Sequence, residues 1–187
     1  MWRLMSSLVI AGLWSGSLAA ESCPPPPDHA VEFARLVEEV RDAENERAAR
    51  RITNEMWALW ADAPDERAQS MLERGMTRRA VGDLLGAIAA FDTLTAYCPD
   101  YAEGYNQRAF AYFIAQDYRA ALADLDRALA LTPTHIGALS GRAMTLFALG
   151  REAEAQHDLR VAVDLNPWLP ERRFLRALPP DETGPDL

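Results

Sequence analysis

Three prolines, Pro99, Pro133 and Pro167, stand 34 residues apart, and the same small and large residues recur at the same offsets from each. A unit of this length is one helical hairpin, which cannot bury its apolar face alone and must stack on a neighbour. Each proline biases the residue before it away from the helical region, so it ends a second helix and turns the chain into the next unit. No segment alternates apolar and polar residues with the period of a strand. The expected fold class is all-α, a helix-turn-helix solenoid.

With each proline at position 32, the units run 68–101, 102–135 and 136–169. The second carries Tyr105, Ala109, Tyr112, Ala121, Leu125, Ala128 and Pro133, and the third carries Leu139, Ala143, Leu146, Ala155, Leu159, Ala162 and Pro167 at the same positions. The first is looser: Met71, Gly75, Ala87, Phe91, Leu94 and Pro99 fit, whereas Arg78 replaces an aromatic or apolar residue. This pattern resembles the tetratricopeptide repeat over 102 of the 187 residues. Ala109 facing Ala121, and Ala143 facing Ala155, let two helices approach closely, while the large residues fill the space to the next hairpin. An arginine recurs at position 7 (Arg74, Arg108, Arg142), and Asp124 and Asp158 follow the last two by 16 residues on the facing helix. Ion pairs within each hairpin are the expected role of that series.

The two ends differ from the array. Residues 1–20 combine Met1-Trp2-Arg3, an apolar run from Leu8 to Trp14 and a small-residue end at Ser17-Leu18-Ala19-Ala20, the layout of a secretory signal peptide. An uncleaved anchor is the other reading, but the apolar run is short for a span and Ser15, Gly16 and Ser17 break it. Residues 21–27 form a tether whose four prolines prevent helix. Residues 28–67 predict a helical hairpin, N-capped by Asp28 and ending near Pro64, which stands 35 residues before Pro99. It is either a divergent fourth repeat or a helical cap, and both place two helices on the first repeat. Residues 170–178 are expected to form a capping helix whose Phe174 and Leu178 cover the last hairpin, and 179–187 a disordered tail.

All 19 basic residues are arginine, and the net charge of −9 argues against nucleic acid or an anionic membrane as partner. No segment beyond the signal is apolar enough for membrane insertion. Two cysteines in an exported chain pair naturally, so a Cys23–Cys98 bridge would pin the N-terminal hairpin to the array. The alternative leaves Cys98 as a small packing residue and Cys23 as a free thiol. His29, His135 and His157 are scattered, without metal-ligand spacing. No catalytic constellation, metal or cofactor is expected, and an enzyme or metal protein built on the cysteines and histidines is the reading of a different class.

In proteins of the family this chain resembles, the first helix of each repeat lines a concave face where partners dock. Here those positions include Leu72, Met76, Arg79, Asn106, Gln107, Phe110, Phe113, Ser140, Met144 and Phe147. Methionine and phenylalanine make an adaptable apolar groove for a peptide or helix, and Asn106 and Gln107 could bond its backbone. Known peptide-binding members grip a terminal carboxylate with a lysine and asparagine set; this chain has no lysine, so that mode does not carry over. The expected role is a periplasmic interaction adaptor holding another envelope protein. A stability or assembly subunit making contact through its convex face is the alternative, as is a groove filled by the chain's own N-terminal helices or tail.

Overall fold

A computed structural model describes residues 22–176. The expected signal peptide and tail lie outside the described residues. Eight α-helices follow in order: α1 (Ala30–Arg41), α2 (Glu46–Trp60), α3 (Glu66–Ala80), α4 (Leu84–Tyr97), α5 (Ala102–Ile114), α6 (Tyr118–Leu131), α7 (Ile136–Ala148) and α8 (Glu152–Leu165). A 3-10 turn, Pro170–Phe174, closes the described chain, and no strand occurs within it. The pairs α3–α4, α5–α6 and α7–α8 are antiparallel hairpins stacked in sequence into a solenoid.

Local chemistry sets the helix boundaries. Asn45, Asp65, Asp83 and Asp117 precede α2, α3, α4 and α6, and each accepts a hydrogen bond from a backbone N–H in the first turn. Asp28 bonds the Ala30 amide at the start of α1. The turns inside the three repeat hairpins use a left-handed residue at the same register: Gly82 (φ +83°), Gln116 (φ +62°) and Gly150 (φ +75°).

Within the hairpins the small residues nest as expected. Ala109, Ala121, Ala143 and Ala155 are fully or almost fully buried. The first hairpin solves the same problem with a different pair. Phe91 replaces the leucines at 125 and 159, and Gly75 replaces the alanines at 109 and 143; a Cβ at position 75 would lie 2.3 Å from the Phe91 ring. The larger ring requires the smaller partner.

In the second and third repeats the arginine at position 7 joins its hairpin to itself and to the one before. Arg108 donates to both carboxylate oxygens of Asp124 (2.7 and 2.6 Å) and to Asp92 on α4 (2.7 Å). Arg142 repeats this with Asp158 (2.7 and 2.9 Å) and with Asp126 on α6 (2.9 Å). The hydrogen bonds to Asp124 lead the causes that hold the Arg108 guanidinium above its ordinary pKa, against its partial burial. Pairs within a hairpin were legible; the second carboxylate, 16 residues earlier on the preceding hairpin, was not expected.

The N-terminal hairpin departs from expectation. It does not stack on the first repeat; it straps the edge where successive hairpins join. The last positions of the three units, Tyr101, His135 and Leu169, are all buried and all turn toward it. The Tyr101 hydroxyl donates to the Trp60 carbonyl (2.7 Å), and the Trp60 ring stacks on His135 at 4.2 Å. Asn166 donates to Thr53 (3.0 Å), and Arg41 donates to the Asp164 carbonyl (3.0 Å). Leu36, Val37, Val40, Ala49 and Met56 merge with the core of the second and third repeats. The reason lies in residue size. With Pro64 in repeat register, Val40 and Ile52 occupy the positions where Ala109 and Ala121 nest, so α1 and α2 cannot close into a repeat-type hairpin. Cys23 is bonded to Cys98, which fixes the tether to the first of the three junctions.

The C-terminal segment is shorter in helix than expected. Instead of a helix over 170–178, the 3-10 turn stops at Phe174. The Gln156 side chain takes over the backbone beyond it, donating to the Phe174 carbonyl (2.8 Å) and accepting from the Arg176 amide (2.9 Å). Phe174 packs against Phe147 with centroids 6.3 Å apart, while Leu178 lies outside the described residues.

Candidate functional site

Helices α5 and α7 face one another across a cavity of about 380 Å³ on the inner side of the solenoid. Asn106, Gln107, Phe110 and Phe113 from α5 and Ser140 and Met144 from α7 line it, with Trp57 of α2 as one wall and Glu171 at the rim. The walls are mostly apolar, as binding clefts commonly are. Phe110 remains half exposed.

Glycine spacing on α7 makes room for the strap. A Cβ at position 137 would lie 2.7 Å from the Trp57 ring, so Gly137 admits the indole against the start of α7. Trp57 also borders a second crevice beneath α2, lined by Thr53, Met56 and Asn166 among others. The N-terminal hairpin therefore narrows the inner face at one end and leaves the stretch around Phe110 and Ile114 uncovered.

A buried polar cluster underlies the α5 side. Glu103, only 2 % exposed, accepts from Asn106 (2.9 Å), Gln107 (2.5 Å) and His135 (2.8 Å). Three donors compensate a carboxylate that burial alone would make costly. His135 has its Nδ1 on the Ala138 amide, so Nδ1 is the acceptor and Nε2 carries the proton given to Glu103. That one imidazole caps α7, holds Glu103 and supports Trp60, which connects the strap to Asn106 and Gln107.

Arg79, at the end of α3, lies over the Phe110 ring with its guanidinium 4.3 Å from the centroid. Burial lowers its pKa, opposed by attraction to Glu103. Its Nη1 and the Gln107 Oε1 are buried without a hydrogen-bond partner in the described chain. Binding of the Gln107 Nε2 to Glu103 fixes which way that amide points.

The structure thus brings together Asn106, Gln107, Phe110, Phe113, Ser140 and Met144, with Arg79 beside them. The other expected lining residues are placed elsewhere. Leu72 is fully buried in the core of the first hairpin with Ala87, Phe91 and Leu94, where no partner reaches it. Met76 packs on that same core, and Phe147 turns to Phe174. Sequence reasoning missed Trp57, Glu171 and the Glu103–His135 pair. Trp57 and Trp60, one turn apart beside Met56, signal a helix with an aromatic contact to make, but nothing in their spacing names its target.

This geometry is matched by known proteins. The family model for the tetratricopeptide repeat matches residues 102–135. A TPR repeat-containing protein of Rhizobium etli is 35% identical over 98 residues, covering 52% of this chain and 42% of that protein. Protein FlbA of Caulobacter vibrioides is 36% identical over 77 residues, 40% of this chain and 13% of that protein. The chain spans less than half the length of these curated relatives. Among solved structures, the first TPR of Spaghetti (RPAP3) bound to the HSP90 peptide SRMEEVD superposes with a TM-score of 0.57 at 27% identity, covering 59% of this chain and 88% of that one. MamA shares the fold at a TM-score of 0.52 and 22% identity, covering 70% of this chain and 74% of the other. Residues 102–135 are a tetratricopeptide repeat, and the described helices share the fold of tetratricopeptide repeat solenoids.

Proposed function

We propose that this protein is an interaction adaptor of the bacterial periplasm that holds a peptide or helix of an envelope protein against the inner face of its solenoid. The observation that carries the reading is the apolar cavity between α5 and α7, lined by a half-exposed Phe110 and by the adaptable Phe113 and Met144. Two further facts support it. The structurally similar RPAP3 domain is bound to a peptide of another protein. The signal-like residues 1–20 and the Cys23–Cys98 bridge fit an oxidising, exported setting.

Phe110→Ala tests the reading. Because the ring is already half in solvent, truncation should leave the melting temperature close to that of the parent. Retention of the natural partner from envelope extract should fall by more than about 1 kcal/mol in binding free energy, as expected for an aromatic anchor. A variant that keeps its partner undiminished would remove the groove from consideration and favour contact through the convex face.

A further inference from the structure

The ladder of arginines has an open first rung. Arg108 and Arg142 each hold two carboxylates, one from their own hairpin and one from the helix ahead. Arg74 stands at the same register and holds neither. Its own-hairpin position is Ala90, where the other units have Asp124 and Asp158, and the helix ahead is missing because α1 and α2 strap the junction edge instead. Arg74 is exposed, and no ion pair engages it among the described residues.

The rest of that face is equally distinct. In the second and third repeats the α-helical stripe carrying the arginine also carries Tyr105 and Tyr112, or Leu139 and Leu146, which fill the space to the preceding hairpin. On α3 the corresponding residues are Met71, still partly exposed, and Arg78, with Arg67 one turn earlier. At an end of the array that no described helix covers, a chain of net charge −9 therefore presents a row of arginines with Met71 in its middle: Arg67 lies over the Tyr97 ring, Arg78 is paired with Asp83 (2.7 Å), and Arg74 is without an ion pair among the described residues.

We propose that this leading face of α3 docks an acidic amphipathic helix of a partner protein, which presents a carboxylate to Arg74 as Asp92 does to Arg108 and an apolar side chain to Met71. Charge selects this occupant over a second copy. The trailing face of the third repeat has Arg160 where the earlier units have Asp92 and Asp126, so head-to-tail stacking would set arginine against arginine. Head-to-head stacking would do the same with two α3 stripes. Like charges at such contacts exclude the wrong partner. This docking is separate from the groove and does not depend on it.

The test uses the full chain and a lactam-bridged, fluorescently labelled peptide of residues 84–97 carrying Leu85→Glu, Ala89→Glu and Ala96→Glu at positions exposed on α4, an acidic amphipathic form of the helix that offers Asp92 to Arg108. Saturable binding by fluorescence anisotropy is expected. Arg74→Gln in the protein, or Asp92→Asn in the peptide, should each weaken it about fivefold. Raising salt from about 50 to about 500 mM should weaken it as well. Phe110→Ala should leave it unchanged, and Arg74, being exposed, should be replaceable without loss of melting temperature. Absence of saturable binding, equal binding by the Arg74→Gln and Asp92→Asn forms, or loss of binding in Phe110→Ala would each overturn the proposal; the last would place the peptide in the groove.

Discussion

The N-terminal hairpin and the second repeat hairpin are both antiparallel helix pairs of similar length, yet they join the molecule by different means. In α5–α6, Ala109 and Ala121 are buried at the crossing, and Arg108 connects the pair to the hairpin before it. In α1–α2, Val40 and Ile52 stand at the same register, and the pair is held along the junction edge by Trp60, Thr53, Arg41 and a disulfide. Periodicity decides that a hairpin forms. The volumes of two facing residues decide whether it can enter the stack or must lie across it.

The sharpest way to break this contrast is to remove the covalent link from the strap alone. Cys23→Ala combined with Cys98→Ala reopens a loop with a sequence separation of 75. In the chain-entropy model this costs about 4 kcal/mol, seen as a lower urea midpoint. A loss below about 1 kcal/mol would mean that the aromatic and hydrogen-bonded contacts hold the strap as firmly as nesting holds a repeat.

The converse test overfills the nested crossing. Ala121→Leu places a larger side chain at a fully buried contact between α5 and α6, and should destabilise by roughly 1 to 3 kcal/mol. An unchanged denaturation midpoint would show that small residues at this register do not control stacking, and the account of why α1–α2 was excluded would fall with it.

These two cases mark what was legible. The repeat register, the Ala109–Ala121 and Ala143–Ala155 contacts, and the Arg108–Asp124 and Arg142–Asp158 pairs follow from periodicity and facing positions, which a linear sequence records. The strap does not. Its contacts pair Trp60 with His135 and Thr53 with Asn166, residues 75 and 113 apart with no repeating offset. At the groove, Phe110 and Met144 could be read from their helical phase, whereas Leu72 has the same phase as Asn106 yet is buried in the first hairpin's core. Trp57 could enter the site only once the strap's position was known.

Tyr101 offers a smaller, pH-dependent probe of the strap. Burial first, and the charges of Glu103 and Asp62 after it, raise the phenol pKa above its ordinary value of 10.0. The folded state thus holds this proton more tightly than the unfolded chain. The resulting stability is fully present below about pH 10 and is lost as pH climbs from there toward the raised folded value. Tyr101→Phe should cost about 1 kcal/mol at neutral pH through the lost bond to the Trp60 carbonyl. It should also flatten the alkaline decline relative to the parent, and equal declines in both would detach this phenol from the strap's stability.

The smallest expected effect sharpens the comparison among the repeats themselves. Gly82 and Gly150 occupy the left-handed turn position at no steric cost, while Gln116 adopts φ +62° with a side chain. The α1–α2 connection needs no such residue: Asp42, just after α1, keeps φ at −85°. Gln116→Gly removes the crowding between Cβ and the backbone, an advantage partly offset by greater freedom in the unfolded chain. A net gain of about 0.5 kcal/mol is expected, measured as a rise in the urea midpoint with an unchanged slope. A loss of stability would mean that the Gln116 side chain contributes more to the second repeat than its left-handed backbone costs.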